Sequence, residues 1–259
     1  MVVDEECNGA GPGTLACCLA GITADFCICL DGSTEAIHNG CNGITTPRIT
    51  VYGRAGHAAI GGAAVNAIDK AFLVKQAIDG FAKQHLAKYP DCRVNLGIFR
   101  SGTLPAIVPS VAELQLNISY SVEDARAAEQ GNGVWNAAVV HQRFEAMLAQ
   151  LAESDAWFTQ KPVTVEWLKD AYPFSCQADD ELSRNVIATV RELAGHDVPV
   201  RSMPAWFDAA HLARVLKKPV LGVGSGTPGK AHGAEETAQL DDLYRGTRCI
   251  ALSLYRLLT

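Results

Sequence analysis

The chain has 259 residues, of which 48% are apolar and 19% charged, values typical of a globular protein with one large or two ordinary domains. Its formal net charge of −6, without any block of Lys and Arg, argues against nucleic acid or an anionic membrane as a partner. The longest apolar stretch, residues 15–22, is too short to span a membrane, and the acidic N-terminus is unlike a signal peptide.

The first predicted strand is "FCICL" (26–30), and the run "PVLGVG" (219–224) has the same character near the other end of the chain. Continuous apolar runs of this length are expected for strands buried on both faces of a parallel sheet. Helices that would cover such a sheet are predicted near residues 181–194, 207–216 and 240–258. Residues 1–46 and 170–259 are therefore predicted to form one α/β domain.

Between these runs the pattern changes to strict alternation of apolar and polar residues. Alternating strands are predicted at 48–52, 92–99, 113–120 and 163–167, and amphipathic helices at 64–86 and about 134–153. The order β-α-β-β-α-β is that of a small antiparallel sheet with two helices on one face. Residues 47–169 are therefore predicted to form a second domain, inserted into the first.

The nine cysteines do not form the pattern of a disulfide framework. Their number is odd, no Cys-x-x-Cys pair occurs, and Cys17 is adjacent to Cys18. Reduced and mostly buried thiols are expected, which together with the absence of a visible signal peptide indicates a cytoplasmic protein. Cys7 follows an acidic cluster and is the only thiol that we consider a candidate for chemistry at a site.

Carboxylates and a histidine follow the predicted strands of the first domain. Glu5 and Glu6 follow "MVVD", Asp31 follows "FCICL", and His232 lies in the glycine-rich loop after "PVLGVG". Ligands of open α/β sheets bind beyond the carboxyl ends of the strands, and carboxylates with imidazole are reasonable zinc ligands. Each residue alone also fits a solvated acidic turn, an Asp-Gly turn or a surface histidine. Their occurrence at separate strand ends favours a metal site.

Five segments, in chain order, resemble those of a family of dinuclear zinc deacylases and exopeptidases. They are "VVDEECNGAGPGT", "ADFCICLDGST", "VYGRAGHAA" with "VNAI", "RSGTLPAIVPSVAELQLNIS" and "FDAAHLARVLKKPVLGVGSGTPGKAHGAEE". The family includes acetylornithine deacetylase, succinyl-diaminopimelate desuccinylase, aminoacylase and glutamate carboxypeptidase. The resemblance implies a zinc-exopeptidase-like αβα catalytic domain, here incomplete at its N-terminus, with an inserted ferredoxin-like βαββαβ dimerisation domain.

The resemblance also implies hydrolysis of the amide bond of an N-acyl amino acid or small peptide-like substrate. Glu5 matches the general base, Glu6 and His232 match ligands of one zinc ion, and Asp31 matches a ligand of the other. In that chemistry a pair of metal ions lowers the pKa of bound water, and a carboxylate that is not a ligand accepts its proton. Adjacent glutamates would therefore have different roles.

Three further residues match the family outside the metal site. His57, in the inserted domain, matches a histidine that reaches across a homodimer interface and polarises the scissile carbonyl of the partner's substrate. Asp208 and Gly226 match substrate-binding loops. The resemblance thus implies a homodimer formed through the inserted domain.

The sequence departs from the family pattern at its start. The family has a histidine and a bridging aspartate upstream of the acidic motif, and nothing here precedes Met1. We therefore expect an N-terminally truncated relative that binds at most one zinc ion, or cobalt or manganese in its place, through Glu6 and His232. His38 and His211 are expected to be structural, the first in a turn and the second within a helix.

Two substrate-binding positions also differ. Ala106 stands where the family has an asparagine, and Ser119 stands where it has an arginine that binds the substrate carboxylate. A guanidinium is difficult to replace in bidentate carboxylate recognition, although Arg100 or Arg201 could take its part. An uncharged amide is therefore as compatible with the sequence as a free α-carboxylate.

Three hypotheses stay open from the sequence. The first is a metal-dependent amide hydrolase that acts as a homodimer. The second is a non-catalytic homologue that retains only dimerisation or ligand binding. In the third, a separate chain supplies the rest of the sheet by pairing with an exposed edge strand.

Overall fold

The computed structural model describes residues 10–60, 62–227, 229 and 231–259. They divide into two compact units: the first comprises the described residues up to Asn42 together with Pro173–Thr259, and the second comprises Gly43–Tyr172. Both units combine helices with a sheet, so the mixed α/β class expected from the sequence is confirmed. No helix in the described part of the chain is long and apolar enough to cross a bilayer.

The helices and strands are numbered in chain order. Up to Tyr120 they are α1 (Pro12–Leu19), β1 (Cys27–Cys29), β2 (Ile37–Cys41), β3 (Gly43–Tyr52), β4 (Gly56–His57), α2 (Ala67–Lys88), β5 (Val94–Ser101), β6 (Ile107–Val108) and β7 (Val111–Tyr120). From Val122 onward they are α3 (Val122–Asn132), α4 (Ala138–Ala149), α5 (Leu151–Ser154), α6 (Ala156–Gln160), β8 (Thr164–Ala171), β9 (Phe174–Ser175), α7 (Glu181–Ala194), β10 (Val200–Met203), α8 (Ala209–Arg214), β11 (Val220–Gly222) and α9 (Leu240–Leu258).

The sheet of the first unit has the strand order β1-β11-β2-β10, and β9 also pairs with β2. β1 is parallel to β11, and β2 is parallel to β10, but β11 and β2 are antiparallel. The core beside it joins strand residues such as Ile37 and Leu221 to Val186 and Val190 of α7 and Cys249 of α9. Because β1 and β11 are parallel, their carboxyl ends lie side by side, and a ligand site is expected beyond these ends.

The prediction that residues 26–30 are buried on both faces is wrong. The residues of β1 are only half-buried, and Leu30 is 68% exposed. The reason is position: among the described strands β1 pairs only with β11, so it lies at an edge of the sheet. Strands β2 and β10 are absent from the prediction, because "IHNGC" and "VRSM" have no clear apolar alternation.

The sheet of the second unit has the strand order β5-β7-β3-β8, and all three neighbouring pairs are antiparallel. The predicted alternation corresponds to the observed burial, because β3 alternates between buried and half-buried residues along its whole length. The α2 residues Ala71, Val74, Ile78 and Phe81 pack on this sheet in one core with Leu114. A short antiparallel pair, β4 with β6, lies apart from the main sheet.

The predicted helix at about 134–153 is divided in the structure. α4 begins at Ala138 and ends at Ala149, and the short helices α5 and α6 follow. An unpredicted helix, α3, precedes it; the Ser121 side chain caps its N-terminus, and Gly133 ends it with a φ of 78°. Because α3 is mostly polar, its capping residues and not its periodicity were the available signal.

No disulfide links the eight cysteines that the structure describes. Burial raises the pKa of Cys18 and Cys27, and it raises that of Cys92 to about 11. These thiols are therefore protonated at neutral pH and behave as apolar packing groups. Cys7 lies outside the described residues.

Candidate active site

The loops that follow β1 and β11 are in direct contact. The Gly226 N–H donates a hydrogen bond of 2.8 Å to the carbonyl of Gly32, and the Val223 N–H donates one of 3.0 Å to the carbonyl of Cys29. A Cβ atom on Gly226 would lie 2.7 Å from Gly32 O, and one on Gly224 would collide with the same carbonyl. Glycine is required at both positions because the two backbones approach so closely.

This contact brings Asp31 next to Gly226. Asp31 is half-buried, and its Oδ1 accepts a hydrogen bond from the Gly32 N–H, which fixes the carboxylate at the start of the turn. A carboxylate held at the end of a parallel strand is suitably placed for a ligand or a metal. The structure therefore places two of the predicted site residues, Asp31 and Gly226, close together in the loops after β1 and β11.

A second set of contacts holds the segment after the acidic motif. Thr14 Oγ1 donates a hydrogen bond to Asp208 Oδ2, and His211 Nε2 lies 2.7 Å from the carbonyl oxygen of Ala10. Gly11, with a φ of 61°, precedes α1, and a Cβ there would collide with Asp208 Oδ1. Residues 10–14 are thus held against the beginning of α8. Glu5 and Glu6 themselves lie outside the described residues.

One carboxylate oxygen of Asp208 has no hydrogen-bond partner among the described residues. This atom, Oδ1, is buried. Buried carboxylate oxygens are nearly always paired, because leaving one unpaired costs free energy.

The interpretation of His38 as a turn residue is wrong. His38 lies in β2, is 7% exposed, and has Phe207 edge-on to its ring at 6.4 Å. A Cβ on Gly32 would lie 2.9 Å from the His38 ring, so the imidazole packs directly beneath the Asp31–Gly32 turn. Burial lowers the pKa of His38, against smaller opposing effects that include the charge of Asp31. The neutral imidazole is thus part of the floor of the site.

His232 lies farther along the loop after β11. Its side chain is exposed, its φ is 60°, and its N–H donates a 3.0 Å hydrogen bond to Glu236 Oε2. Thr227 anchors this loop to the start of α9, because its hydroxyl donates to Asp242 Oδ2 over 2.8 Å. Within the described residues, no three His, Cys, Asp or Glu side chains are grouped as a metal ion requires. Metal binding by Glu6, Asp31 and His232 therefore stays a prediction.

His57 belongs to the second unit and lies in β4. Its side chain is exposed, and Nδ1 accepts a 3.1 Å hydrogen bond from the Ala59 N–H. Because Nδ1 is an acceptor, the neutral ring carries its proton on Nε2, which is then a hydrogen-bond donor. The next residue, Ala58, donates a 3.0 Å backbone hydrogen bond to Ala106. This pairing fixes the backbone on which the imidazole is presented.

The positions expected to bind a substrate carboxylate differ in environment. Ser119 is 7% exposed, and its hydroxyl accepts a hydrogen bond from the Arg93 N–H, so it has a structural role in β7. Arg100 in β5 and Arg201 in β10 are both exposed. Arg201 pairs in register with His38 of β2, whose ring packs beneath the Asp31 turn.

The chain matches the model of Peptidase family M20/M25/M40 over residues 1–256. It is similar to the crystal structure of a tripeptidase from Staphylococcus aureus, with 17% identity and a TM-score of 0.64; the match covers 93% of this chain and 60% of that chain. It is also similar to aminopeptidase PepT from Bacillus cereus, with 16% identity and a TM-score of 0.59; the match covers 96% of this chain and 62% of that chain. A third similar structure is an amidase of the hydantoinase/carbamoylase family from Burkholderia multivorans, with 18% identity and a TM-score of 0.58; the match covers 85% of this chain and 49% of that chain. A comparison with curated proteins gives no match.

Identities this low show similarity of fold alone. This chain also spans less than two thirds of the length of each of these structures.

Proposed function

Since the chain belongs to Peptidase family M20/M25/M40, we propose that it acts in metal-dependent hydrolysis of the amide bond of an N-acyl amino acid or small peptide-like substrate. The similar structures carry the names of peptidases and an amidase, which supports amide hydrolysis as the reaction type. The observation that carries the proposal is the glycine-mediated contact between the Asp31–Gly32 turn and Gly226. This contact lies at the carboxyl ends of the parallel strands β1 and β11, which is where α/β sheets commonly bind their ligands.

The proposed metal ligands are Glu6, Asp31 and His232, with zinc as the expected ion and cobalt or manganese as alternatives. Their carboxylate and imidazole groups are of the types that zinc prefers. Asp31 and His232 do not complete a site with other described residues, so binding depends on Glu6. When bound, the ion would polarise the substrate carbonyl and lower the pKa of a water molecule. We expect at most one ion per chain.

Glu5 is the proposed general base, which accepts the proton of the attacking water and passes it to the leaving nitrogen. His57 is the proposed donor to the oxyanion, through the Nε2 proton that follows from its Nδ1 hydrogen bond with Ala59. Asp208 and Gly226 are proposed to contact the substrate. Asp208 Oδ1, which accepts no hydrogen bond among the described residues, supports this role because a substrate N–H group would satisfy it.

We further propose that the second unit is a ferredoxin-like domain through which the chain forms a homodimer. The antiparallel order β5-β7-β3-β8 supports the domain type. β5 pairs only with β7 among the described strands, which leaves an edge open to pairing. Beside this edge, Phe72 and Phe99 are 56% and 38% exposed and pack edge-to-face at 5.8 Å. An apolar pair next to an open edge is suited to a protein interface.

The dimer is tested by light scattering after size-exclusion chromatography. Phe99→Lys should convert the dimer to a monomer, because it places a charge in the proposed interface. The matched control is Tyr255→Lys, which changes a 67% exposed aromatic residue of the first unit and should leave the mass unchanged. A monomeric wild-type protein would rule out the dimer.

A non-catalytic homologue that only dimerises or binds a ligand is the second candidate. It is favoured by the exposure of the His232 side chain. An assay of deacylase and peptidase activity with Zn(II) or Co(II), together with metal analysis, separates the two candidates. Glu5→Gln should abolish activity without loss of metal. The control Glu123→Gln, which changes an exposed glutamate, should leave both activity and metal content unchanged. An inactive wild-type protein would support the second candidate, and two tightly bound zinc ions would contradict the single-ion expectation.

A further inference from the structure

A groove lies between α2 and α4 in the second unit, and none of the proposed hydrolase residues lines it. Its volume is about 650 Å³, within the range of sites that bind small molecules. One part of its wall is apolar and includes Phe81, Met147 and Leu151. The other part is basic and includes Lys88 and Arg143. The groove is therefore chemically asymmetric along its length.

The basic part carries an unbalanced positive charge. Arg143 Nη2 pairs with Asp124 Oδ1 at 2.9 Å, and Asp124 is 2% exposed beneath the groove. Lys88 lies over the Tyr89 ring at 4.8 Å and makes no ion pair within the described part of the chain. No Asp or Glu of the described residues lines the groove. An anion would therefore be attracted to this end.

Gly80 provides an independent observation. It lies in the middle of α2 and lines the groove, and a Cβ atom built on it would have no atom within 4 Å. Glycine in a helix interior destabilises the helix relative to alanine, and here no close protein contact requires it. The missing side chain at Gly80 leaves room over the groove.

We propose that this groove binds a small organic anion with an alkyl or aryl part. The anionic group lies against Lys88 and Arg143, and the hydrocarbon part lies against Phe81, Met147 and Leu151. Burial of the hydrocarbon supplies affinity, and the charge supplies specificity. None of the residues lining the groove is among those proposed to take part in hydrolysis, so binding here does not depend on catalytic activity.

The test is calorimetric titration of the full chain with 4-phenylbutanoate and with its uncharged amide. The carboxylate should bind saturably, with one molecule per chain, and the amide should bind at least about tenfold more weakly. Lys88→Gln should weaken carboxylate binding by about tenfold, since it removes the unbalanced charge. The control Lys83→Gln changes an exposed lysine of the same helix that does not line the groove, and should have little effect.

Blocking the groove gives the second arm of the test. Gly80→Leu should abolish binding, because its side chain occupies the space over the groove without a clash. Gly131→Leu, in α3, introduces the same side chain where nothing lies within 4 Å, and should leave binding intact. Circular dichroism would verify that both variants are folded. Equal binding of amide and carboxylate, unchanged binding by Gly80→Leu, or no saturable binding to the wild type would each overturn the proposal.

Discussion

The two units position their polar side chains in different ways. In the second unit, Asp124 accepts hydrogen bonds from Tyr89 and Arg143, and all three side chains project from or adjoin helices. In the first unit, the Asp31 turn is positioned by close contact between two backbone loops at glycines. Hydrogen bonds between side chains on helices stabilise the core of one unit, whereas close backbone contacts at glycines, together with the Thr14–Asp208 hydrogen bond, shape the site of the other.

The difference indicates how each unit tolerates change. Removing one member of a buried charged network leaves its partner unsatisfied, so the cost is mainly one of stability. Adding a side chain where two backbones touch displaces a loop, so the cost also falls on ligand geometry. Mutations in the two units should therefore separate stability from site geometry.

The largest effect is expected from Asp124→Ala in the second unit. The change leaves Arg143 and the Tyr89 hydroxyl without their shared acceptor, and we expect a loss of about 3 kcal/mol in the free energy of unfolding. Urea denaturation measures this loss. The neighbouring exposed change Glu123→Ala should cost less than about 0.5 kcal/mol. Equal effects of the two changes would show that the buried network contributes nothing.

The next largest effect is expected from Gly224→Val in the first unit. Its side chain would collide with Gly32 O, and we expect a loss of about 2 kcal/mol together with displacement of the Asp31 turn. Gly97→Val is the control, because a Cβ there meets only Asn95 Nδ2 at 3.6 Å. Urea denaturation and zinc titration should both be affected by the first change. Unaltered zinc binding would argue against Asp31 as a ligand.

The comparison also explains how much the sequence could predict. The second unit is one continuous segment whose strands alternate, so periodicity was sufficient to predict β3, β5, β7 and β8. The first unit joins two distant segments, and β2 pairs with β10 across more than 150 residues. Their sequences are short and carry little periodicity. These strands are stabilised by pairing with strands distant in the sequence and not by local preference. Local patterns could not predict these strands.

The candidate site shows the same limit. Asp31 was predictable because a carboxylate directly follows an apolar run, whereas Gly226 was proposed only through the resemblance to the family. His38 was not predictable, because its place beneath the Asp31 turn depends on β2 joining the sheet. The Thr14–Asp208 hydrogen bond spans 194 positions and has no sequence signal at all.

A smaller effect is expected from two matched helix caps, one in each unit. Ser121 Oγ accepts a 3.2 Å hydrogen bond from the Asp124 N–H at α3, and Asp180 Oδ1 accepts one of 2.9 Å from the Ser183 N–H at α7. Replacing either cap by Ala should cost about 1 kcal/mol at pH 7. Asp180→Ala should cost more, because the Ser183 hydroxyl also donates to the carboxylate. Urea denaturation of both variants tests the order, and a larger loss for Ser121→Ala would reverse it.

The smallest effect is expected from the buried histidine of the second unit. Burial lowers the pKa of His85 from 6.5, and the nearby charges of Arg143 and Lys88 act in the same direction, against the Ser119 carbonyl and Asp124. The unfolded chain therefore binds a proton first, so the contribution of neutral His85 is present above pH 6.5 and is lost as the pH falls below it. His85→Asn should flatten the dependence of unfolding free energy on pH between about 7.5 and 5.5. An unchanged slope in urea denaturation would show that His85 does not titrate on unfolding. The same change at His38, which is also buried, tests whether the first unit behaves alike.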